Sequence, residues 1–168
     1  MKDFVRYDDA YIERIIAEYS DMVYKLAYAQ MRNKSDADDI YQEVFLRFIR
    51  RKPVLETSEH ERAWFIRVTV NCCKNLWNTA FRRHTQPLEE IPVPFVCESG
   101  NQLIALLEQL PKLYRPVVHL FYYEDMTVAE ISEVLHRQEG TVRVQLNRAR
   151  HMLKDIMEGE EANAGSGI

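Results

Sequence analysis

Apolar residues recur at helical spacing along nearly the whole chain. Ile12, Ile15, Ile16, Tyr19, Val23 and Leu26 lie on one stripe and predict a long helix from about Asp9 to Met31. Arg32-Asn33-Lys34 interrupts it. Ser35 is the expected cap of a second helix, and Asp36, Asp38 and Asp39 suit the positive end of its dipole. That helix carries Ile40, Val44 and Phe48 on one stripe, with Asp39, Glu43, Arg47 and Arg50 around the others, and Pro53 ends it. A polar loop, Val54 to His60, precedes a third helix from about Glu61 to Arg83, where Phe65, Val68, Cys72 and Leu76 have core spacing. Strand-like alternation bounded by turn residues occurs nowhere.

Between Thr85 and Gly100 the character changes. The stretch TQPLEEIPVPFVCESG holds three of the six prolines and no basic residue, and predicts an extended linker. Its sixteen residues reach roughly 55 Å at ~3.4 Å each. A second helical unit follows: Asn101 to Leu110, a helix beginning near Arg115 with Pro116 in its first turn, then Thr127 to His136, then Thr141 to Met157. Ala162 to Ile168 are expected to fray. The predicted fold class is all-α, with two small helical domains (1–84 and 101–168) joined by the linker 85–100.

The formal net charge of −4 speaks at first against a nucleic-acid partner. The distribution reverses that. Arg62, Arg67, Lys74, Arg82 and Arg83 fall in a segment without one acid, and Arg137, Arg143, Arg148, Arg150 and Lys154 in a segment with the single acid Glu139. Ten of the 22 Lys and Arg residues thus occupy two short stretches, while acid gathers at Asp36, Asp38, Asp39 and at Glu158, Glu160, Glu161. Two basic footprints in an acidic chain predict two contacts with one polyanion and leave other surfaces for a protein partner.

The segment TVAEISEVLHRQEGTVRVQLNRARHML has the form of a helix-turn-helix. Ala129, Ile131 and Val134-Leu135 are the expected inner face of its first helix, and Arg137 to Gly140 its turn. On the second helix Val142, Leu146, Ala149 and Leu153 form a narrow arc that must face the core. The opposite side presents Arg143, Val144, Asn147, His151 and Lys154, with Thr141 and Arg148 nearer its edge. Asn and Arg can bond base edges, Arg and Lys can hold phosphates, and Val can touch a thymine methyl. An amphipathic hairpin with a solvated basic face has the same pattern. The third helix adds Trp64, Phe65, Trp77 and Phe81 to its five cations, a combination that suits unpaired DNA, although Trp64 also has a packing role open to it.

Catalysis finds little support. The carboxylates Asp36, Asp38, Asp39 and Glu43 cluster as magnesium ligands can, but they stand at a helix start and no second acidic motif completes a site. The five histidines are scattered, and no glycine-rich phosphate loop occurs. Cys72, Cys73 and Cys97 offer neither a zinc pattern nor a disulfide framework. No catalytic residue, metal or cofactor is therefore expected. With no apolar run long enough to cross a bilayer and no signal peptide, the expected location is the cytoplasm.

Three stretches carry a family resemblance. DADDIYQEVFLRFIR is similar to the DAEDLVQEVFLRLWR-like helix of bacterial extracytoplasmic-function (ECF) sigma factors, RAWFIRVTVNCCKNLWNTAFRRH to the RAWLYRIARN…RRR segment that follows it, and LPKLYRPVVHLFYYEDMTVAEISEVLHRQEGTVRVQLNRARHMLK to the terminal helix-turn-helix with its GTV…L.RAR signature. The match runs from about Tyr19 to Lys154, in the family's order. It departs where Arg143-Val144-Gln145 follows Gly140-Thr141-Val142 in place of a common Lys-Ser-Arg, and where the turn around His136-Arg137-Gln138 lacks its usual glycine.

The resemblance implies an RNA polymerase sigma factor that directs promoter recognition, melting and transcription initiation. Asp39, Gln42, Glu43 and Arg47 would meet the clamp of the polymerase β′ subunit. Arg62, Trp64, Arg67, Asn71, Lys74, Arg82 and Arg83, with the loop before them, would hold the non-template strand of the −10 element, an unstacked base being captured near the loop. Arg137, Gln138, Thr141, Arg143, Val144, Asn147 and Arg148 would serve the −35 element while their domain rests on the β flap. Core RNA polymerase and promoter DNA are the expected partners, an anti-sigma factor a further candidate. A stand-alone helix-turn-helix regulator and a sigma-like adaptor that only binds polymerase remain as rival readings.

Overall fold

A computed structural model describes residues 7–82 and 106–165, with side chains over 7–79 and 106–159. The chain divides into two compact units, Met1–Val93 and Pro94–Ile168. The expected linker 85–100, with Cys97, lies outside the described residues, as do Arg83 and most of the expected helix from Asn101. Every regular element described is helical.

The N-terminal unit packs α1 (Asp9–Met31), α2 (Lys34–Arg51) and α3 (Ser58–Arg82) against one another. Asp8 caps α1 by accepting from the Tyr11 amide, and Arg32 closes the helix in a left-handed conformation. The cap of α2 is Asn33 rather than Ser35: its side chain accepts from the Asp36 amide at 2.7 Å, so the helix begins one residue before the serine. Lys52, left-handed at φ 45°, ends α2 ahead of Pro53. α3 starts three residues before the expected Glu61, because Thr57 Oγ1 accepts from the His60 amide and opens the helix there.

Ile15, Val23 and Leu26 of α1, Ile40, Val44 and Phe48 of α2, and Phe65 and Ile66 of α3 form the core. Phe48 is fully buried with the rings of Tyr7, Tyr11, Trp64 and Phe65 around it at 5.3–6.1 Å between centroids. Thr69, Val70 and Cys73 are buried beside the expected Phe65-Val68-Cys72 stripe, which makes the inner face of α3 wider than its spacing suggests. The helix is covered by both α1 and α2, so one narrow stripe cannot account for it.

In the C-terminal unit, a helical turn at 106–108 leads to α4 (Arg115–Val118), which continues as a π-helical turn over His119–Tyr123. Arg115 is buried, and its Nε donates to the Leu110 carbonyl at 2.8 Å, a cation placed on carbonyls left open at the preceding turn. α5 (Val128–Leu135) opens with a capping box between Thr127 and Glu130. His136, left-handed at φ 52°, ends α5 and takes the place of the glycine usual in such turns. α6 (Glu139–Gly165) starts two residues earlier than expected and stays helical over Ala162–Gly165, where fraying was expected. The inner face of α5 is Ile131, Val134 and Leu135, as expected, but Ala129 is exposed. At 100° per residue Ala129 lies on the far side of that arc.

Candidate docking and nucleic-acid interfaces

The outward strip of α2 runs through Asp39, Gln42, Leu46, Ile49 and Arg50, all exposed, and none of them competes for the core. Leu46 and Ile49 are 42% and 39% exposed, an apolar element that the charged pattern of this helix had concealed. Glu43 and Arg47 pair at 2.7 Å on the side facing α3. There they line a groove of about 300 Å³ with Asp39, Ile40, Cys72, Asn75, Leu76 and Thr79. Asp36 is bound by Asn33 and Asp38 by Lys34, so these acids serve the helix start. Among the described residues no cluster could hold a metal ion.

On α3, Trp64, Arg67, Asn71 and Lys74 share one strip within about 80° of arc, Asn71 and Lys74 exposed and Trp64 and Arg67 half-buried. Trp64 sets its ring edge-on to Phe48 and Phe65, so it packs against the core and keeps part of its face outward. Arg62 does not join this strip: it occupies the angular position of Thr69 and Cys73, on the inner side of the helix. Arg82 ends α3, and its side chain lies outside the described residues.

Sequence reasoning missed the polar network behind that strip. Glu61, only 6% exposed, accepts from Arg14 Nη2 and from the Tyr19 hydroxyl, each at 2.9 Å. Its partners lie more than forty residues away, and only the fold brings them together. Thiol chemistry is not favoured nearby, because burial pushes Cys72 and Cys73 above the usual thiol range.

On α6, Val142, Leu146 and Ala149 are buried as expected and Leu153 half-buried. Thr141, Arg143, Val144, Asn147 and Arg148 are exposed. Arg143 pairs with Glu139 at 3.2 Å, an exposed pair worth ~0.3–0.5 kcal/mol and easily exchanged for another acceptor. Arg137 behaves differently from its neighbours. Its Nη1 donates to Gln145 Oε1 at 2.9 Å and lies 3.4 Å from the Leu113 carbonyl, and burial lowers its pKa. The structure thus places Arg137 in the seam between the turn and α6, where it holds Gln145 inward. Beside this seam Gln138, Thr141, Val144 and Arg148 line a cleft of about 490 Å³ with Leu113 and Tyr114.

Two domain families match these two units. The sigma-70 region 2 model matches residues 15–84 and the sigma-70 region 4 model residues 100–153, together well over half of the chain. The chain belongs to the sigma-70 family. The relatives bear out the ECF resemblance of its motifs. The ECF RNA polymerase sigma factor SigE of Mycolicibacterium smegmatis is 29% identical over 157 residues, a match covering 86% of this chain and 61% of that protein. SigW of Bacillus subtilis, also an ECF sigma factor, is 24% identical over 87% of this chain and 88% of its own length. Among solved structures, the sigma factor RpoE of Bartonella quintana, in complex with the anti-sigma factor NepR, is similar with a TM-score of 0.71 at 13% identity, covering 87% of this chain and 96% of that one. CnrH, in complex with the cytosolic domain of CnrY, gives 0.66 at 18% identity over 91% of each chain. Both support the all-helical sigma fold. No described helix is long and apolar enough to cross a membrane.

Proposed function

We propose that this sigma-70 chain is an RNA polymerase sigma factor of the ECF type that works in the cytoplasm, directs core polymerase to a set of promoters, and regulates initiation without being an enzyme. The observation that carries this reading is the presence of both sigma-70 regions, in family order, each on its own helical unit. The strip Asp39-Gln42-Glu43, with Leu46 and Arg47, is the proposed polymerase contact. Trp64, Arg67, Asn71 and Lys74, followed by Arg82 and Arg83, form the proposed track for the −10 strand. Val144 and Asn147, flanked by Arg143, Thr141, Gln138 and Arg148, form the proposed −35 reader. Arg137 supports that reader from within, and Arg62 supports α3.

Polymerase contributes its own affinity for the promoter, so a factor of net charge −4 can depend on it for tight DNA binding. An anti-sigma factor is a proposed further partner, since the similar sigma factor RpoE was solved with one. Run-off transcription with core polymerase tests the reading. A sigma factor initiates at discrete start sites when added alone to core enzyme. A stand-alone regulator only blocks or adjusts initiation by another factor, and an adaptor produces no transcript without a second sigma factor. Either of those last two results would refute the proposal.

A further inference from the structure

The loop between α2 and α3, residues 52–57, is fixed within itself at Pro53 and Leu55, and the first turn of α3 that follows it is tied to α1. At its start, the Tyr7 hydroxyl donates to the Pro53 carbonyl. The Tyr7 ring packs against Tyr11 and Phe48 at 5.1 and 5.3 Å, which anchors it to the aromatic core. In the middle, the Leu55 side chain is buried at 8% exposure. Just beyond its end, in the first turn of α3, the Tyr19 hydroxyl donates to Glu61 at 2.9 Å and lies 3.3 Å from the Ser58 carbonyl, while Arg14 closes the other oxygen of the same carboxylate. Between the anchors Val54 stands 76% exposed, the most exposed large apolar side chain described. Burial raises the pKa of both tyrosines, with Tyr11 adding to the effect at Tyr7 and Glu61 at Tyr19, so each hydroxyl stays a proton donor at any working pH.

A solvent-facing loop with an apolar tip, anchored within itself and at the helix it leads into, has less conformational freedom left to lose when a ligand arrives. We propose that Tyr7 and Tyr19 are positioning residues for promoter melting, because Tyr7 grips the start of loop 52–57 and Tyr19 the first turn of α3 just beyond its end, and together they hold Val54 where an unstacked base of the −10 strand is received. The proposal rests on the reading of this loop and α3 as the −10 contact. It gives Tyr7, ahead of α1, and α1 itself a part in strand capture without touching DNA.

The test uses reconstituted holoenzyme. Tyr7→Phe keeps the ring in the aromatic cluster and removes only the hydroxyl. It should leave the melting temperature of the factor and its assembly with core polymerase unchanged. Permanganate reactivity of the −10 thymines on a duplex promoter, and binding of a single-stranded −10 oligonucleotide, should both fall about three- to tenfold. Tyr19→Phe should act in the same direction from just beyond the other end of the loop. Val54→Asp probes the loop's own part and should weaken oligonucleotide binding at least as much. If Val54→Asp weakens the oligonucleotide while Tyr7→Phe changes neither readout, the positioning role is overturned and the −10 reading stands. If Val54→Asp leaves the oligonucleotide bound as before, the reading of this loop fails and the proposal falls with it. A loss of core assembly by Tyr7→Phe equal to its loss of melting would show a merely structural hydroxyl and also overturn the proposal.

Discussion

In the N-terminal unit the cations of the proposed DNA face are interleaved with packing. Arg67 is half-buried, Trp64 leans on Phe48, Arg62 lies on the inner side of α3, and behind them a buried carboxylate is tied to α1. In the C-terminal unit the corresponding work falls to one helix whose two sides are cleanly divided: Val142, Leu146 and Ala149 inside, Arg143, Val144, Asn147 and Arg148 outside. Reading duplex base edges asks only for a rigid helix with an open face. Holding an unpaired strand asks for a surface assembled from several segments, since bases and backbone must be met together. The first arrangement can be mutated residue by residue. In the second, Asn71 and Lys74 are open to the same treatment, but Trp64 cannot be changed without touching the core packing.

The largest expected effect tests whether the two units fold separately. Phe48→Ala removes the ring around which the N-terminal core is built and should cost about 3–5 kcal/mol. Urea unfolding followed by tryptophan emission should show the N-terminal transition at far lower denaturant, because Trp64 and Trp77 both belong to that unit. Hydrogen exchange of α6 should stay as it was. A parallel loss of protection in α6 would join what the comparison separates.

Next comes charge reversal of Asp39 and Glu43 to Lys. Neither side chain is part of the core, but Glu43 also pairs with Arg47, so unfolding should shift by no more than about 1 kcal/mol. Co-purification with core polymerase should fall by more than tenfold. Retained assembly would move the docking surface off α2.

At the C-terminal unit, Asn147→Ala should cost about 1–3 kcal/mol on the preferred −35 sequence and relax selection at one or two base pairs. Arg148→Ala should weaken all promoters alike and reduce the salt dependence of binding. A randomised −35 library transcribed with each variant separates the two classes. A shifted sequence preference from Arg148→Ala alone would mean that the α6 face is turned from the phase described.

The smallest effect is expected at Glu139. Its exposed pair with Arg143 is worth only ~0.3–0.5 kcal/mol, so Glu139→Gln should tighten −35 binding about twofold by releasing the guanidinium. Weaker binding in that variant would mean that Glu139 itself orients Arg143 toward DNA.

How much was legible beforehand follows the same division. The arc of α6 was readable because period and polarity coincide on a helix with one buried side. The ends of α1 were likewise readable from its stripe and the break after Met31. Local chemistry was misjudged where neighbours competed for a role: Asn33 rather than Ser35 caps α2, and Thr57 starts α3 early. Arg137 carried the right charge at the right position for a DNA contact, but its geometry turns it toward Gln145. No spacing rule joins Tyr7 to Pro53 or Arg14 and Tyr19 to Glu61.

The sequence by itself determined the helical class, the two basic footprints, the order of the sigma-70 regions and the face of α6, because each is a matter of period or composition along a continuous stretch. Tertiary structure alone decided which cations face outward, how wide the buried side of α3 is, and what holds the loop between α2 and α3. Those depend on contacts between segments distant in the chain, and burial can take a charged or aromatic side chain for packing whatever its chemistry suggests.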